Sequence, residues 1–281
     1  AQNVQVTDGR VIFEGDASVI AAANLNLRTA ERVLLLLKTW QATTFDELFD
    51  GVYSIPWEEI IPADAAFPVK GSSLSSQLSS VPACQSIVKK AVVKRLMAGH
   101  RTTTLPETGK MYKLRFSLRK NTVEMMLDTS GDGLHKRGYR KNATLAPIKE
   151  TLAAAIADLG RVRRDTLVQD PFCGSGTLVI EAAQKALNIA PACAAALPPS
   201  SSTLFPPKSG APSGPRPLSR PSRMPPSRAS AMTIEPCRCG SGTANAKAGR
   251  GTGTAATFEV ADVKDFRAPC GRHGPYQPAL R

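Results

Sequence analysis

The sequence predicts an α/β fold, and two observations support this. Short apolar strand patterns alternate with helical patterns along the first 190 residues, the arrangement from which α/β domains are built. Near residue 170 an apolar strand meets a glycine-containing turn and then a helix, the order found in nucleotide-binding units. The 281 residues allow about two such domains.

The first 130 residues contain most of the predicted elements. Short apolar or alternating runs bounded by turn residues predict strands at 11–15, 33–37, 67–71, 111–118 and 121–127. Helical spacing predicts helices at 17–24, 44–49, 57–61 and 81–97. Asp16 is suited to cap the first of these helices. The last helix is amphipathic, with a basic face opposite its apolar face.

A second unit follows and then changes character. A helix is predicted from about 146 to 159, with Pro147 in its first turn, then a strand at 166–168 and a helix at 177–187. Residues 191–281 contain 15 of the 22 prolines. The Pro/Ser/Arg-rich part of this stretch is predicted to be disordered, but residues 256–266 return to a strand pattern with an acidic end.

Residues 170–177 read Asp-Pro-Phe-Cys-Gly-Ser-Gly-Thr and are the most informative motif. Gly174 and Gly176 allow backbone angles closed to other residues and close approach of a ligand. The helix that follows offers unpaired N–H groups at its start. We therefore predict a cofactor loop, with an ordinary strand–helix turn as the alternative. No lysine follows the second glycine, so a P-loop is not favoured, and Cys173 is interpreted as a packing residue.

Charge and cysteine content narrow the class of protein. The net charge of +13 favours an anionic partner, nucleic acid first, with a solvated basic surface as the alternative. The six cysteines lack zinc-site spacing, so we expect free thiols, no metal and a cytoplasmic location. No apolar run approaches the roughly 18–20 residues that span a bilayer, so no membrane partner is expected. The chain does not begin with Met and is expected to be a fragment.

Three segments, residues 127–140, 146–155 and 170–177, together resemble one family. They are similar to the THUMP-domain class I RNA methyltransferases, most closely the bacterial branch that methylates guanine N2 in large-subunit ribosomal RNA. Many members of that branch carry the label N6-adenine-specific DNA methylase. The resemblance covers roughly residues 5–190 and 256–268.

The resemblance implies a domain order. Residues 1–130 would form a ferredoxin-like and THUMP RNA-binding region, and residues 131–190 the start of a Rossmann-like methyltransferase domain. Residues 191–255 would be disordered or out of frame, and residues 256–281 would be a remnant of the methyltransferase domain. That domain is therefore expected to be incomplete.

The resemblance also implies S-adenosylmethionine as cofactor and a set of site residues. Asp262 would bind the cofactor's adenine amino group. The other residues expected at the cofactor are Asp170, Pro171, Phe172, Gly174, Gly176, Thr177, Pro147, Lys149 and Glu150. For Lys149 and Glu150 a surface ion pair is the alternative. The residues expected at RNA are Lys89, Lys90, Lys94, Arg95, His135, Lys136, Arg137, Tyr139 and Arg140, with a solvated face as the alternative for the helical four.

The family's catalytic Asn-Pro-Pro-Tyr segment is absent as written, so no catalytic residue is assigned. Codons compatible with residues 275–281, read one nucleotide later, can spell Thr-Asn-Pro-Pro-Tyr-Gly. We hypothesise that much of residues 191–255 and 270–281 is translated out of frame. The expected function is S-adenosylmethionine-dependent methylation of ribosomal RNA, with a DNA adenine N6 methylase and a non-catalytic RNA-binding protein as alternatives.

Overall fold

The structure, a computed structural model, describes residues 1–140, 147–164 and 166–191, and the backbones of two later strands at 229–233 and 256–260. Asp262 and the rest of the Pro/Ser/Arg-rich stretch lie outside the described residues. The elements in chain order are β1 (Gln2–Thr7), β2 (Arg10–Glu14), α1 (Ala17–Asn26), β3 (Leu34–Gln41), α2 (Phe45–Tyr53), α3 (Trp57–Ile60), β4 (Val69–Leu74), α4 (Val81–His100), β5 (Leu114–Arg119), β6 (Thr122–Asp128), α5 (Glu150–Leu159), β7 (Val168–Asp170), α6 (Thr177–Ala186), β8 (Ala229–Thr233) and β9 (Ala256–Val260).

The described residues divide into two compact units. The central unit contains residues 32–131. The glycine-loop unit contains residues 1–31 together with the described residues from 132 onward. The chain thus leaves the glycine-loop unit after α1 and returns to it after β6, so residues distant in sequence come together there.

The central unit is a four-stranded sheet in the order β3-β6-β5-β4, with β4 and β5 parallel and the other pairs antiparallel. Alternate residues of β5 face the interior: Leu114, Phe116 and Leu118 all lie in the buried core. Helix α4 presents Val88 and Leu96, both fully buried, to the same core. The core of this unit is therefore built from one sheet face and the helices packed on it.

Local sequence explains where the helices begin. Thr44 and Glu47 form a capping box at the start of α2, since each side chain accepts a hydrogen bond from the other residue's backbone N–H. The Asp16 carboxylate accepts from Val19 N–H at 3.1 Å and caps α1 as predicted. Pro147, predicted in the first turn of α5, instead precedes that helix, which begins at Glu150.

The glycine-loop unit combines the β1–β2 hairpin, α1, α5 and α6 with the parallel sheet β7-β8-β9. Two of its strands, β1 and β8, were not predicted. In β1 only Val4 and Val6 alternate with polar residues, too short a run to predict a strand, and β8 lies in the Pro/Ser/Arg-rich stretch. None of the helices in the described part of the chain is long and apolar enough to cross a membrane.

Candidate active site

The glycine loop follows the carboxyl end of β7 and leads directly into α6. Gly174 has a φ of +53° and Gly176 a φ of +78°, both in the left-handed region that favours glycine. No atom of the described residues lies within 4 Å of a Cβ placed on Gly174, which leaves room beside the backbone there. The Gly176 N–H donates to the Cys173 carbonyl at 2.8 Å and closes the turn. The loop is thus built so that a ligand can approach the main chain.

The N-terminus of α6 faces the loop without a capping side chain. Gly176 is the N-cap residue and supplies no side-chain hydrogen bond to the first turn. The earliest N–H groups of a helix carry partial positive charge and need an acceptor. This end of α6 is therefore suited to bind a negatively charged or carbonyl oxygen.

Asp170 places a carboxylate at the end of β7, beside the loop. Its Oδ1 accepts a hydrogen bond from the Phe172 N–H at 3.0 Å. Burial raises the pKa of the Asp170 carboxyl, and this hydrogen bond opposes part of the rise. The Phe172 ring is 70% exposed, whereas Cys173 is buried, as expected of a packing residue. The loop thus offers a ligand the Asp170 carboxylate, the uncapped start of α6 and the exposed ring of Phe172. Pro171, also in the loop, is half-buried.

The segment before α5 lies against the start of α6. One nitrogen of Arg140, Nη2, donates to the Ile148 carbonyl at 2.6 Å and to the Thr177 hydroxyl at 2.8 Å. Thr177 is the first residue of α6, and its hydroxyl also lies 3.2 Å from that of Ser175. Through Arg140, the structure links Ile148 to Thr177 at the start of α6, whereas the role of Pro147, Lys149 and Glu150 at the cofactor stays a prediction.

Lys149 and Glu150 have different surroundings. The Glu150 side chain is buried, with Oε1 lying 3.5 Å from Arg140 Nε, and its Oε2 has no hydrogen-bond partner among the described residues. Lys149 is exposed, with Nζ lying 3.9 Å from a carboxylate oxygen of Glu31. The alternative of an ion pair between Lys149 and Glu150 is not seen.

The surroundings of residues 135–140, the segment in which RNA contacts were expected, differ most from the prediction. Arg137 and Tyr139, predicted to contact RNA, are 1% and 0% exposed, so neither presents a surface to RNA. Arg140 is turned inward to the two helix starts. Only His135 and Lys136 remain at the surface, where they pair with Glu31 and Asp132. The prediction of RNA contact is wrong for Arg137 and Tyr139, because their aromatic and guanidinium groups fill the interior.

The basic residues of α4 are partly engaged within the protein. Lys89 pairs with Glu107 at 2.7 Å and lies 3.5 Å from the centre of the Phe67 ring. Arg95 is held by both carboxylate oxygens of Glu58, at 2.5 and 2.9 Å. Lys90 and Lys94 are the exposed residues among the predicted four, and Lys94 Nζ lies 5.7 Å from the centre of the Phe49 ring.

Sequence reasoning missed a buried polar cluster beside α6. The Glu181 side chain is fully buried, accepts a hydrogen bond from the Tyr139 hydroxyl at 2.9 Å and lies 3.6 Å from Arg137 Nε. Arg28 donates to the Gln184 and Ile189 carbonyls at 3.3 and 2.5 Å. The one available signal was an acid set between apolar residues 179–183 on the buried side of α6.

Comparisons with known proteins agree with this architecture. Residues 1–34 match the model of the RlmL ferredoxin-like domain, residues 42–128 that of the THUMP domain, and residues 137–197 that of the RMKL-like methyltransferase domain. The chain is 51% identical over 189 residues to "Putative RNA methyltransferase YpsC" of Bacillus subtilis, covering 66% of this chain. It spans about half, 49%, of the length of that curated relative.

Solved structures show the same likeness. One is described as a predicted N6-adenine-specific DNA methylase from Listeria monocytogenes, with 40% identity and a TM-score of 0.81, covering 95% of this chain and 70% of that one. Another, SMU.472, described as "a putative methyltransferase complexed with SAH", has 33% identity and a TM-score of 0.78, covering 95% of this chain and 71% of that one. The family and the α/β fold class predicted from the sequence are thus confirmed. The chain belongs to the THUMP-domain methyltransferase family that joins an RlmL-type ferredoxin-like domain to a Rossmann-like, RMKL-like methyltransferase domain.

Proposed function

We propose that this protein is an S-adenosylmethionine-dependent RNA methyltransferase. The observation that carries the proposal is the glycine loop, in which two glycines with positive φ connect the end of β7 to an uncapped helix start. The relative SMU.472, described in complex with SAH, supports the choice of cofactor.

The residues of the loop fit the methionine end of S-adenosylmethionine, which carries a carboxylate and an ammonium group. The uncapped N–H groups of α6 suit the carboxylate, and the Asp170 carboxylate suits the ammonium group. Gly174 leaves room for the backbone to approach the ligand. When bound, the cofactor supplies an electrophilic methyl group on a sulfonium. The contribution of this chain is to hold and orient it.

The proposal of RNA as the partner rests on the THUMP domain match and on the name of YpsC. Lys90 and Lys94 extend from α4 as exposed cations and are proposed to contact phosphate. Lys89, Arg95, His135 and Lys136 have internal partners and are proposed only as secondary contacts. The finer assignment, guanine N2 of large-subunit ribosomal RNA in the cytoplasm, follows the family branch that the sequence resembles.

No residue is assigned to the acceptor side of the site, because the Asn-Pro-Pro-Tyr segment is absent as written. Asp262, which we propose as the ligand of the cofactor's adenine, lies outside the described residues. We also propose that much of residues 191–255 and 270–281 is translated out of frame. Sequencing the gene tests it directly. An intact single frame through Pro191 would refute it.

Cofactor binding is tested by Gly174→Ala, with Gly9→Ala as the matched control. Both glycines have a positive φ, +53° and +75°, and a Cβ on either would meet no atom of the described part of the chain within 4 Å. The two substitutions therefore carry a similar backbone cost, about 1 kcal/mol. Isothermal titration with S-adenosylmethionine should show weaker binding for Gly174→Ala alone. Equal affinity in the two variants would contradict the assignment of this loop.

Transfer of a tritiated methyl group to undermodified ribosomal RNA, other RNA or DNA tests the substrate. Label in guanine of large-subunit RNA supports the finer proposal. Label in adenine of DNA would support the alternative, which the description of the Listeria structure favours. RNA binding with no cofactor uptake would support the non-catalytic alternative.

The RNA surface is tested by reversing charge at Lys90 and at Lys94. Each variant should lower the slope of log affinity against log salt by about 1, because one phosphate contact is lost. Lys120→Glu, at the exposed turn between β5 and β6, is the control for the change in net charge. A slope that changes equally in all three variants would argue against a contact surface on α4.

A further inference from the structure

We infer that Arg140 is a positioning residue for the cofactor site, an inference that rests on the proposed function. The sequence placed Arg140 among the RNA contacts. In the structure its guanidinium instead connects the start of α6 to the segment that precedes α5.

The contacts of Arg140 explain how it acts. The two hydrogens of Nη2 serve two acceptors from different segments, the Ile148 carbonyl at 2.6 Å and the Thr177 hydroxyl at 2.8 Å. The Nε of Arg140 lies 3.5 Å from Glu150 Oε1, an ion pair without a hydrogen bond. Arg140 thus links the first residue of α6 by hydrogen bonds to the segment that precedes α5, and Glu150, the first residue of α5, lies beside it.

This link acts on the cofactor loop because Thr177 directly follows Gly176, the residue whose positive φ ends the loop. If Thr177 moves, the uncapped N–H groups of the first turn of α6 move with it. Small displacements of groups that orient a ligand have large effects on binding and reaction rate.

Burial makes the link rigid. The side chain of Arg140 is 15% exposed, that of Glu150 is 4% exposed, and Thr177 is 2% exposed. Charge-assisted hydrogen bonds are stronger when water is excluded, since the local dielectric constant is low. A planar fork also loses less entropy per bond than a lysine ammonium, so lysine is not an equivalent replacement.

Arg140→Gln tests the inference, with Tyr139→Phe as the matched control. Both variants lose buried hydrogen bonds to α6, but the Tyr139 hydroxyl contacts Glu181 in the second turn rather than the loop. With the full 281-residue chain, titration should show about tenfold weaker binding of S-adenosylmethionine for Arg140→Gln and little change for Tyr139→Phe. Equal loss in both variants would reduce Arg140 to a general stabilising role and overturn the inference.

A second measurement needs no ligand. In Arg140→Gln, amide hydrogen exchange at residues 174–180 should quicken by about tenfold, while exchange in α2 stays constant. Unchanged exchange at the loop would overturn the inference. If wild-type protein takes up no S-adenosylmethionine, the proposed function fails, yet the exchange data still decide whether Arg140 holds the loop. If Arg140→Gln does not fold, Arg140→Lys should show intermediate values, and wild-type values in both assays would overturn the inference.

Discussion

Removing the charge of Arg137 should destabilise the glycine-loop unit specifically. The Arg137 side chain is almost fully buried, donates to the Leu134 carbonyl at 2.8 Å and to the Arg28 carbonyl, and lies beside the buried Glu181 carboxylate. Arg137→Met keeps much of the volume but removes every one of these donors. It leaves Glu181 with only the Tyr139 hydroxyl as a close hydrogen-bond partner among the described residues.

The expected magnitude follows from these contacts. Two hydrogen bonds from a charged donor contribute about 1.5–3 kcal/mol each. Breaking a buried ion pair by removing one partner costs about 3–5 kcal/mol. Both estimates agree, so the free energy of unfolding of this unit should fall by about 3–5 kcal/mol.

The loss should depend on pH in a defined direction. Burial raises the pKa of Glu181 above its ordinary value of 4.5, and Arg137 opposes that rise. Without Arg137 the pKa in the folded state rises further. Stability then falls as pH increases from 4.5 through the folded-state pKa. Arg137→Met should therefore lose more stability at pH 8 than at pH 5.

Hydrogen exchange of the α6 amides, followed as a function of urea concentration, measures the loss of stability within the glycine-loop unit. Both tryptophans, Trp40 and Trp57, belong to the central unit, so their fluorescence provides an internal control that should not change. Arg137→Met combined with Glu181→Leu should recover part of the loss, because no unpaired charge remains. A loss below about 1 kcal/mol, well under the expected range, would refute the reasoning.

Three further results are expected. Asp170→Asn should stabilise the free protein at pH 7, because it removes a carboxylate whose pKa burial raises. The same substitution should weaken S-adenosylmethionine binding. Thermal unfolding measures the first effect and titration the second. Arg95→Gln should raise the pKa of Glu58 from about 2 towards 4.5, because the hydrogen bond from Arg95 lowers it, and NMR titration follows this change. In the wild-type protein, the stability contributed by the Arg95–Glu58 pair should be lost as pH falls from 4.5 towards 2. Thr44→Ala should cost about 1 kcal/mol in chemical denaturation, because it breaks the capping box with Glu47.

Each of these has a contrary outcome. Tighter cofactor binding by Asp170→Asn would show that the Asp170 carboxylate does not bind the cofactor. A Glu58 pKa that does not respond to Arg95→Gln would mean that another group holds it low. Equal stability of Thr44→Ala and wild type would show that α2 does not depend on its cap.

The local elements of the central unit were accessible from sequence because each depends on neighbouring residues. The alternation in β5 and the apolar face of α4 correspond directly to buried side chains. The β1 and β8 strands were missed because the local sequence marks them weakly: β1 has only two alternating apolar residues, Val4 and Val6, and β8 lies in the Pro/Ser/Arg-rich stretch. β1 forms a strand because its backbone pairs with β2, and β8 forms one because its backbone pairs with β7 and β9.

The position and the conformation of the glycine loop follow from local sequence alone. Positive φ at Gly174 and Gly176, and the junction between β7 and α6, are local properties of about ten consecutive residues. The roles of Arg137, Tyr139 and Arg140 depend instead on long-range contacts in the folded chain. In the sequence they are basic and aromatic residues, suited equally to RNA and to a buried network. Their burial depends on residues more than 30 positions away, such as Glu181 and Thr177, which the folded chain brings to them.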